Sequence, residues 1–402
     1  MVRNLPVRTI VGAIDAAAAR WSDASFAPRV RARDTAGARS GYTLSVVDHA
    51  FDRLFTTLRQ AAIERVLDDE LGSADALDRF VPRRGRPAAR ALGLGRVCVI
   101  SSRTTLGVAI LPAVFALCAK CTVLVKDRED ALVEAFFTTL AEELPELRPF
   151  AQARSWNGEA DLREAGSFDA VVAFGNDATM CRVASSLPFP TRFIGYGARA
   201  SAGYVARDAL HSEASAREIA RGAARDLLLY DGEGCLSLHA LFVERGGAVA
   251  PERFVELLDA AAAAASIELP PGRRDARAIA RVGSARDLAR FRGDDRVYGD
   301  AHGSYVLMHD PPLEEPPLFL PRTLGIHTVD APEQAVSYLR DHGVAIEAFA
   351  LAGRRDDLLD AAIAAGASRI ARLGALQSPP LGAFHGGRPR VAEFVRWIGD
   401  ES

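Results

Sequence analysis

Short apolar runs alternate with amphipathic stretches along the middle of the chain. Apolar runs that predict buried strands lie at 97–101, 122–125, 169–174 and 192–195. Stretches with the apolar period of a helix lie at 106–119, 129–144 and 178–186. Strands and helices that alternate at this spacing indicate a doubly wound parallel sheet. Such sheets bind ligands beyond the carboxyl ends of their strands, so we expect site residues directly after the apolar runs.

The pattern changes after about residue 205 and predicts a second α/β domain. Predicted helices lie at 214–229, 253–265, 332–340 and 356–365, and predicted strands lie at 238–243, 303–308, 323–328, 345–351 and 369–372. We therefore expect three parts: 1–205 with N-terminal helices and the first sheet, 206–372 with the second domain, and 373–402 as a C-terminal arm. The arm is predicted to end in a helix at 391–398.

Composition and charge exclude several classes of protein. The 402 residues carry a net charge of −3, so no basic surface for general nucleic-acid binding is expected. The longest apolar run, 107–119, contains Pro112 and is too short to cross a bilayer. We find no secretion signal and no disulfide framework among five cysteines, which predicts a reducing, cytoplasmic compartment. Cys118 and Cys121 lack a second pair or histidines at zinc-site spacing, so no metal site is predicted.

Cys235 is the candidate nucleophile. It follows Gly232-Glu233-Gly234, and the two glycines permit unusual backbone angles and the close approach of a substrate. A cysteine in such a turn can attack a carbonyl carbon while its own N–H group faces the developing oxyanion. The alternative is a small apolar residue that merely fits a tight turn.

Five segments in the same order resemble the aldehyde dehydrogenase superfamily. Residues 230–244 resemble its nucleophile segment, in which a Gly-Gln/Glu-x-Cys turn leads into a strand ending in Val-Glu. Residues 97–126 are similar to its strand–helix–strand unit that ends in a cofactor-binding lysine. Residues 174–177 are similar to its Phe-Thr-Gly-Ser phosphate turn, and 342–349 and 366–370 to two later strand segments. The resemblance implies a cofactor-binding doubly wound sheet and a second, catalytic α/β domain that carries Cys235.

Further segments are similar to one branch of this superfamily, the fatty acyl-CoA reductase subunit of bacterial luminescence. They lie at 175–180, 195–201 and 377–388. This branch implies reduction of an acyl thioester to an aldehyde with a nicotinamide cofactor. Hydrolytic aldehyde dehydrogenases need a glutamate base to activate water, and Gly195 stands at the matching position. Glu233, next to the nucleophile, is a substitute base and leaves the hydrolytic alternative open.

The resemblance also implies roles for residues around Cys235. The superfamily's oxyanion-hole asparagine is missing from 102–106, so a hydroxyl of Thr104 or Thr105 is the expected substitute donor. His239 lies four residues after Cys235 and is expected either to stabilise the thiolate or to protonate departing CoA. The superfamily's Glu-x-Phe segment retains only the phenylalanine, Phe319, so no ribose ligand is predicted there.

A group of polar residues at strand ends is expected to bind the cofactor. Only two of 49 basic residues are lysines, and one of them, Lys126, closes a predicted strand where it can reach ribose or phosphate oxygens. The resemblance implies that Glu129 corresponds to the ribose-binding acid of many NAD-using relatives, whereas Arg128 suits the 2′-phosphate of NADPH. The branch favours NADPH and leaves NADH open. The predicted cofactor-binding residues are Lys126, Arg128, Glu129, Gly175, Asn176 and Ser102.

The sequence therefore predicts an NAD(P)H-dependent acyl-CoA reductase that works through a thioester on Cys235. Acyl-carrier thioesters are an alternative substrate, and acyl phosphates are an alternative substrate class. The competing functions are a hydrolytic aldehyde dehydrogenase and a non-catalytic dinucleotide-binding subunit of a larger complex. The resemblance implies a homo-oligomer to which residues 373–402 contribute.

Overall fold

The computed structural model of the chain describes residues 4–102, 105–127, 131–156, 167–293, 296–300, 302–353 and 355–402. Two compact units make up the fold. The first contains Met1–Ser40, Val47–Ala198 and Pro380–Ser402, and the second contains Gly41–Val46 and Arg199–Pro379. The chain thus changes units after residue 198, seven residues before the predicted limit, and the predicted arm is divided between the two units.

The chain begins with four helices that build an aromatic core. They are α1 (Val7–Ser22), α2 (Ala27–Ser40), α3 (Leu44–Thr57) and α4 (Gln60–Leu71). Buried residues of α1 recur three and four positions apart, which is the pattern of a helix that packs along one face. Trp21 at the end of this face contacts the rings of Phe51, Phe55 and Phe136 at centroid distances of 4.9–6.3 Å. Its indole N–H donates to Thr139 Oγ1 at 3.0 Å.

A five-stranded parallel sheet forms the rest of the first unit's core. After the hairpin β1 (Val81–Arg83) and β2 (Arg86–Gly93), its elements are β3 (Arg96–Ile100), α5 (Ile110–Cys118), β4 (Thr122–Lys126), α6 (Leu132–Glu143), β5 (Ala151–Arg154), β6 (Ala170–Phe174), α7 (Asp177–Ser186) and β7 (Arg192–Tyr196). The strand order is β5-β4-β3-β6-β7, and every pair is parallel. The predicted doubly wound sheet is therefore confirmed. The short edge strand β5 was not predicted, because Ala-Gln-Ala-Arg has no apolar run.

The second unit contains a seven-stranded mixed sheet. Its elements are β8 (Ala200–Val205), α8 (Glu213–Leu228), β9 (Leu238–Glu244), α9 (Pro251–Glu268), α10 (Ala276–Arg292), β10 (Val297–Tyr298), β11 (Val306–His309), β12 (Thr323–Val329), α11 (Pro332–Asp341), β13 (Ile346–Ala352), α12 (Asp356–Ala364) and β14 (Arg369–Arg372). The order is β10-β11-β12-β9-β8-β13-β14, and only the β10–β11 pair is antiparallel. The predicted second α/β pattern is confirmed, with β8, α10 and β10 as elements that were not predicted.

The predicted C-terminal helix at 391–398 is wrong. A 3-10 turn at Ala392–Phe394 leads into strand β15 (Val395–Asp400), which pairs antiparallel with β2 to complete a β1-β2-β15 sheet. The apolar positions 391, 394, 395 and 398 repeat with a helical period, which led to the wrong prediction. The exposed edge of β2 offers unpaired backbone groups, and pairing with them favours a strand for a β-branched and aromatic segment.

The other lysine, Lys120, has a structural role, because it forms a buried ion pair. It follows α5 with a left-handed backbone, φ 61°, and its buried ammonium pairs with Asp78. The Asp78 carboxylate also accepts the N–H of Val7 at 3.2 Å, at the start of α1. Lys120 therefore helps to join the end of α5 to the N-terminal helices.

In the part of the chain that the structure describes, no helix is long and apolar enough to cross a membrane. No cluster of three or more His, Cys, Asp or Glu side chains there could hold a metal ion. The thiols of Cys118 and Cys121 are both buried, and burial raises the pKa of Cys118 to about 12.

Candidate active site

A strained turn precedes Cys235. Tyr230, Asp231 and Gly232 follow one another in the left-handed region, with φ values of 55°, 53° and 70°. Only glycine adopts this region without a steric penalty, so the two other residues store strain that the surrounding structure must offset. A side chain at Gly232 would also place its Cβ 3.0 Å from the backbone nitrogen of Arg322. The sequence Tyr-Asp-Gly thus sets the direction in which the chain reaches Cys235.

A buried ion pair holds this turn. The Nε of Arg322 lies 2.5 Å from Asp231 Oδ1, and both side chains are buried. The other carboxylate oxygen of Asp231 accepts the N–H of Gly272 at 3.0 Å, and its carbonyl accepts the N–H of Arg322 at 3.0 Å. Arg322 also donates to the carbonyl of Leu269 at 2.6 Å. Three hydrogen bonds from distant parts of the chain therefore fix the turn that leads to the nucleophile, and a fourth anchors Arg322 itself.

A second set of hydrogen bonds presents Cys235 itself. The N–H of Ser237 donates to the carbonyl of Gly234 at 2.9 Å, which closes a turn around Cys235. Ser237 Oγ accepts the N–H of Gly234 at 3.2 Å and the amide of Gln377 at 2.9 Å. The hydroxyl of Ser201 on β8 donates to the carbonyl of Cys235 at 2.8 Å. Cys235 is half-buried and its backbone is held from both sides, as a nucleophile requires.

The Gln377 segment is anchored by a buried carboxylate on α8. Asp226 accepts the N–H groups of Gly374 at 2.6 Å and of Leu376 at 3.1 Å. Burial raises the pKa of Asp226 to about 7, although its backbone donors act in the opposite direction. The helix α8 is thereby connected, through residues 374–377, to the turn that carries Cys235.

Charged groups surround the thiol of Cys235. Burial and, to a smaller extent, the carboxylate of Glu347 raise its pKa to about 12, although the guanidinium groups of Arg369 and Arg199 act in the opposite direction. Arg199 Nε lies 3.7 Å from Glu347 Oε2. The resting cysteine is therefore a protonated thiol at neutral pH, and the proton must leave before the sulfur can attack a carbonyl carbon.

His239 lies beside the same turn in an uncharged form. Burial lowers its pKa to about 4, and an interaction with the Gly234 backbone only partly offsets this. Its Nδ1 has no hydrogen-bond partner among the described residues, and its ring meets the edge of Phe319 at 5.2 Å. Burial thus disfavours the imidazolium form, and the two roles expected of His239 from the sequence stay predictions.

Two positions are relevant to hydrolysis, Glu233 and Gly195, and their surroundings differ. Glu233 is exposed, and desolvation by the surrounding protein together with the charge of Asp231 raises its pKa. Gly195 lies in β7, and a Cβ there would stand 2.6 Å from a ring carbon of Phe193. A glutamate at residue 195 would require the phenylalanine to move. The structure therefore has little room for a larger side chain at residue 195.

The predicted cofactor residues that are described lie at strand ends, as expected. Lys126 is buried at the carboxyl end of β4, with its ammonium 5.0 Å from the centre of the Trp156 ring. Ser102 follows β3, and Gly175 follows β6. Asn176 caps α7, because its side chain accepts the N–H of Thr179 at 2.9 Å. Predicted site residues Thr104, Arg128 and Glu129 lie outside the described residues.

Several residues near Cys235 were missed by sequence reasoning. Ser201, Glu347 and the Asp231–Arg322 pair have no local motif, because their partners are distant in the chain. Gln377 belongs to a segment that carried the resemblance, yet no role followed from its sequence context. The left-handed turn was signalled in part by the glycines around Glu233.

The comparisons with known proteins agree with this geometry. A family model described as acyl-CoA reductase (LuxC) matches residues 2–397. The chain belongs to this family. It is an acyl-CoA reductase and hence an oxidoreductase, so the predicted family, enzyme class and reaction are confirmed. A reductase of this family uses a nucleotide cofactor and an acyl thioester substrate. Sequence comparison with curated proteins finds no match.

Solved structures show the fold. An oxidoreductase from Marinobacter aquaeolei aligns with a TM-score of 0.75 at 11% identity, covering 98% of this chain and 86% of that one. Aldehyde dehydrogenase 21 from Physcomitrella patens gives 0.73 at 11% identity, over 99% and 86%. An NAD-dependent benzaldehyde dehydrogenase from Corynebacterium glutamicum gives 0.72 at 15% identity, over 100% and 87%. The predicted aldehyde-dehydrogenase-like α/β fold is confirmed.

Proposed function

We propose that this acyl-CoA reductase forms a thioester on Cys235 and reduces it to an aldehyde with NADPH. The observation that carries the proposal is the turn at 234–237, which holds the backbone of Cys235 from both sides while its thiol lies among charged groups. The sulfur attacks the acyl carbonyl carbon, the bond to CoA breaks, and the acyl group stays on Cys235. The N–H of Cys235 and the hydroxyl of Thr104 stabilise the oxyanion.

The first unit has the features that a dinucleotide needs. The strand order reverses direction at β3, whose neighbours are β4 and β6, and such a switch point opens a crevice at the carboxyl ends of the strands. Ser102, Lys126 and Gly175 lie at these ends. Lys126 would bind ribose oxygens, and the start of α7 beyond Gly175 would receive a phosphate. When bound, the cofactor supplies the hydride that reduces the acyl-cysteine.

We favour NADPH as the cofactor because Arg128 can bind its 2′-phosphate. A guanidinium group matches the two-oxygen geometry of a 2′-phosphate, whereas the neighbouring Glu129 suits a free ribose. We expect Arg128→Ala to raise the KM for NADPH by roughly 10-fold or more, as a lost charged hydrogen bond would, while the KM for NADH stays the same. Glu129→Ala is the matched control and should affect NADH more. Cofactor absorbance under saturating acyl-CoA measures both constants. A wild-type preference for NADH would contradict the assignment.

The acyl adduct is the direct test of the proposed chemistry. We expect intact-mass spectrometry of the wild type to show one added acyl group after mixing with acetyl-, octanoyl- or tetradecanoyl-CoA in the absence of a reductant. The adduct should disappear when NADPH is added, and aldehyde should form. Peptide mapping should place the acyl group on Cys235 and not on Cys181, which is exposed. An adduct elsewhere, or none with any of the three thioesters, would refute covalent catalysis by Cys235.

Glu233 distinguishes this proposal from aldehyde hydrolysis. Its carboxyl group is next to the nucleophile in sequence and has a raised pKa. By the sequence resemblance, Gly195 stands where hydrolytic aldehyde dehydrogenases carry their glutamate base. A site without that base protects the acyl-cysteine from water. We therefore assign Glu233 no proton-transfer step. We propose that the acyl-cysteine can return its acyl group to CoA but does not lose it to water.

The oligomeric state and the acyl donor of the enzyme are also part of the proposal. We propose a homo-oligomer in which β15 takes part, because β15 is the edge strand of its three-stranded sheet and no strand among the described residues pairs with its outer edge. An acyl-carrier thioester offers the same reacting group as acyl-CoA, and a donor enzyme in a larger complex could deliver it.

A further inference from the structure

The proposed reaction leaves one proton without a carrier. The thiol of Cys235 must lose a proton as its sulfur attacks, and the sulfur of CoA must gain one as it departs. Burial raises the pKa of Cys235 to about 12, so water at neutral pH removes this proton poorly. His239 is uncharged, and burial disfavours the imidazolium form that it would have to adopt on accepting the proton. A different group near the sulfur is needed.

Strand β8 lies between β13 and β9, and its pairing with each of them has a bulge next to Ser201. In the β13–β8 pair, Ile346 faces Ala200 and Ala348 faces Ser201, so Glu347 is the extra residue of a bulge in β13. In the β9–β8 pair, Leu238 faces Ser201 and Ala240 faces Ala202, so His239 is the extra residue. Bulges are rare between parallel strands, and beside active sites they redirect a side chain.

The two bulges converge on the nucleophile. Ser201 Oγ donates to the carbonyl of Cys235, which ties the middle strand to the turn. His239 interacts with the Gly234 backbone, one residue before Cys235. Glu347, on the other side of Ser201, is buried, and Arg199 fixes the adjacent backbone by donating to the carbonyl of Ile346 at 3.2 Å. A regular strand would shift the face on which Glu347 lies, because side chains alternate between faces.

The charges around Glu347 suit a group that exchanges a proton with a neighbouring sulfur. Arg199 lies 3.7 Å from its carboxylate, and Arg369 begins the next strand, opposite Ala348. When a proton moves from Cys235 to Glu347, the negative charge moves from the carboxylate to the sulfur while both arginines remain in place. The net charge around the buried Glu347 stays constant, so the transfer avoids the cost of creating a new charge there. Transfer to His239 would create two charges.

We propose that Glu347 is the residue that carries the proton of Cys235 during acyl transfer, an inference that rests on the proposed function of Cys235. As the sulfur attacks, its S–H proton passes to the carboxylate, a carbon–sulfur bond forms, and the carbonyl oxygen takes up the negative charge. When the oxyanion collapses, the bond from carbon to the CoA sulfur breaks, and the proton passes from Glu347 to that sulfur. The products are acyl-cysteine and CoA thiol, and nothing is oxidised or reduced.

The experiment compares acylation with simple alkylation of the same sulfur. Glu347→Gln and Glu347→Asp are mixed with octanoyl-CoA in the absence of NADPH, and the adduct on Cys235 is followed by rapid quenching and mass spectrometry. Alkylation of Cys235 by iodoacetamide is measured in parallel from mildly acidic to mildly basic pH. Glu252→Gln, an exposed carboxylate at the start of α9, is the matched control.

The proposal requires opposite changes in the two rates. In Glu347→Gln, acylation should slow by roughly 10²-fold or more, the usual range for a lost general acid–base group. Alkylation at neutral pH should become several-fold faster, because the arginines remain while the opposing negative charge is gone. Glu347→Asp keeps the charge but withdraws the carboxyl group, so acylation should slow by roughly 10-fold while alkylation stays near the wild-type rate.

Other results separate failure of this inference from failure of the proposed function. Wild-type acylation in either variant would overturn the role of Glu347 and leave Cys235 as the nucleophile. Equal slowing of acylation and alkylation in both variants would mean that Glu347 only positions Cys235, and would also overturn it. Should Glu347→Gln not fold, Glu347→Asp decides the question by the same criteria. Absence of an adduct in the wild type would instead refute the proposed function.

Discussion

Cys235→Ala is expected to abolish aldehyde formation from acyl-CoA, with a loss of about 10⁴-fold or more in kcat/KM. The reason is that the variant has no atom to hold the acyl group, so CoA must leave directly as the carbonyl is reduced. The same variant should still bind the cofactor, because the predicted cofactor residues lie in the first unit and Cys235 lies in the second. Cofactor consumption measures the first quantity, and quenching of cofactor fluorescence measures the second.

A matched substitution makes this result specific. Cys181→Ala removes an exposed thiol from α7 and should leave the rate unchanged. Alkylation of the wild type by iodoacetamide should remove activity faster as the pH rises. The reason is that the thiolate fraction of Cys235, whose pKa is about 12, increases with pH. If Cys235→Ala retained a tenth of the wild-type rate, the reduction would not require an acyl-cysteine.

The sequence was informative where structure depends on local pattern. Parallel strands buried on both faces are apolar runs, so the run at 122–125 predicted β4 to within one residue. Lys126, at the end of that run, lies at the carboxyl end of the strand as expected. The glycines around Glu233 indicated an unusual turn, and the structure has one. In each of these cases, neighbours in the sequence decide the conformation.

The sequence was uninformative where structure depends on register. Glu347 belongs to an apolar run that reads as an ordinary strand, and nothing in its neighbours indicates a bulge at this residue. Its position relative to Cys235 follows from how β8 and β13 align, which no local pattern encodes. The same holds for β15, whose helical period is overridden by pairing with β2. The residues that set the chemistry of the thiol are therefore the ones that sequence reasoning missed.

The ion pair between Asp231 and Arg322 gives the second large expected effect. Asp231→Asn keeps the shape of the side chain, and asparagine tolerates the left-handed backbone that residue 231 adopts, so the substitution removes little except the charge. Arg322 would then be buried without its partner, and leaving one member of a buried pair alone typically costs about 3–5 kcal/mol. We expect the midpoint of urea unfolding to fall accordingly and the turn before Cys235 to loosen.

The matched control for this prediction is an exposed cluster in the same unit. Arg253 forms ion pairs with Glu213 at 2.7 Å and Glu256 at 2.6 Å, and all three side chains are about half exposed. Arg253→Ala should therefore reduce the free energy of unfolding by less than about 1 kcal/mol, because water and salt screen exposed pairs. An equal effect of the two substitutions would mean that Asp231 and Arg322 do not hold the turn. A large difference, together with slower alkylation of Cys235 in Asp231→Asn alone, would show that the buried pair stabilises the position of the nucleophile.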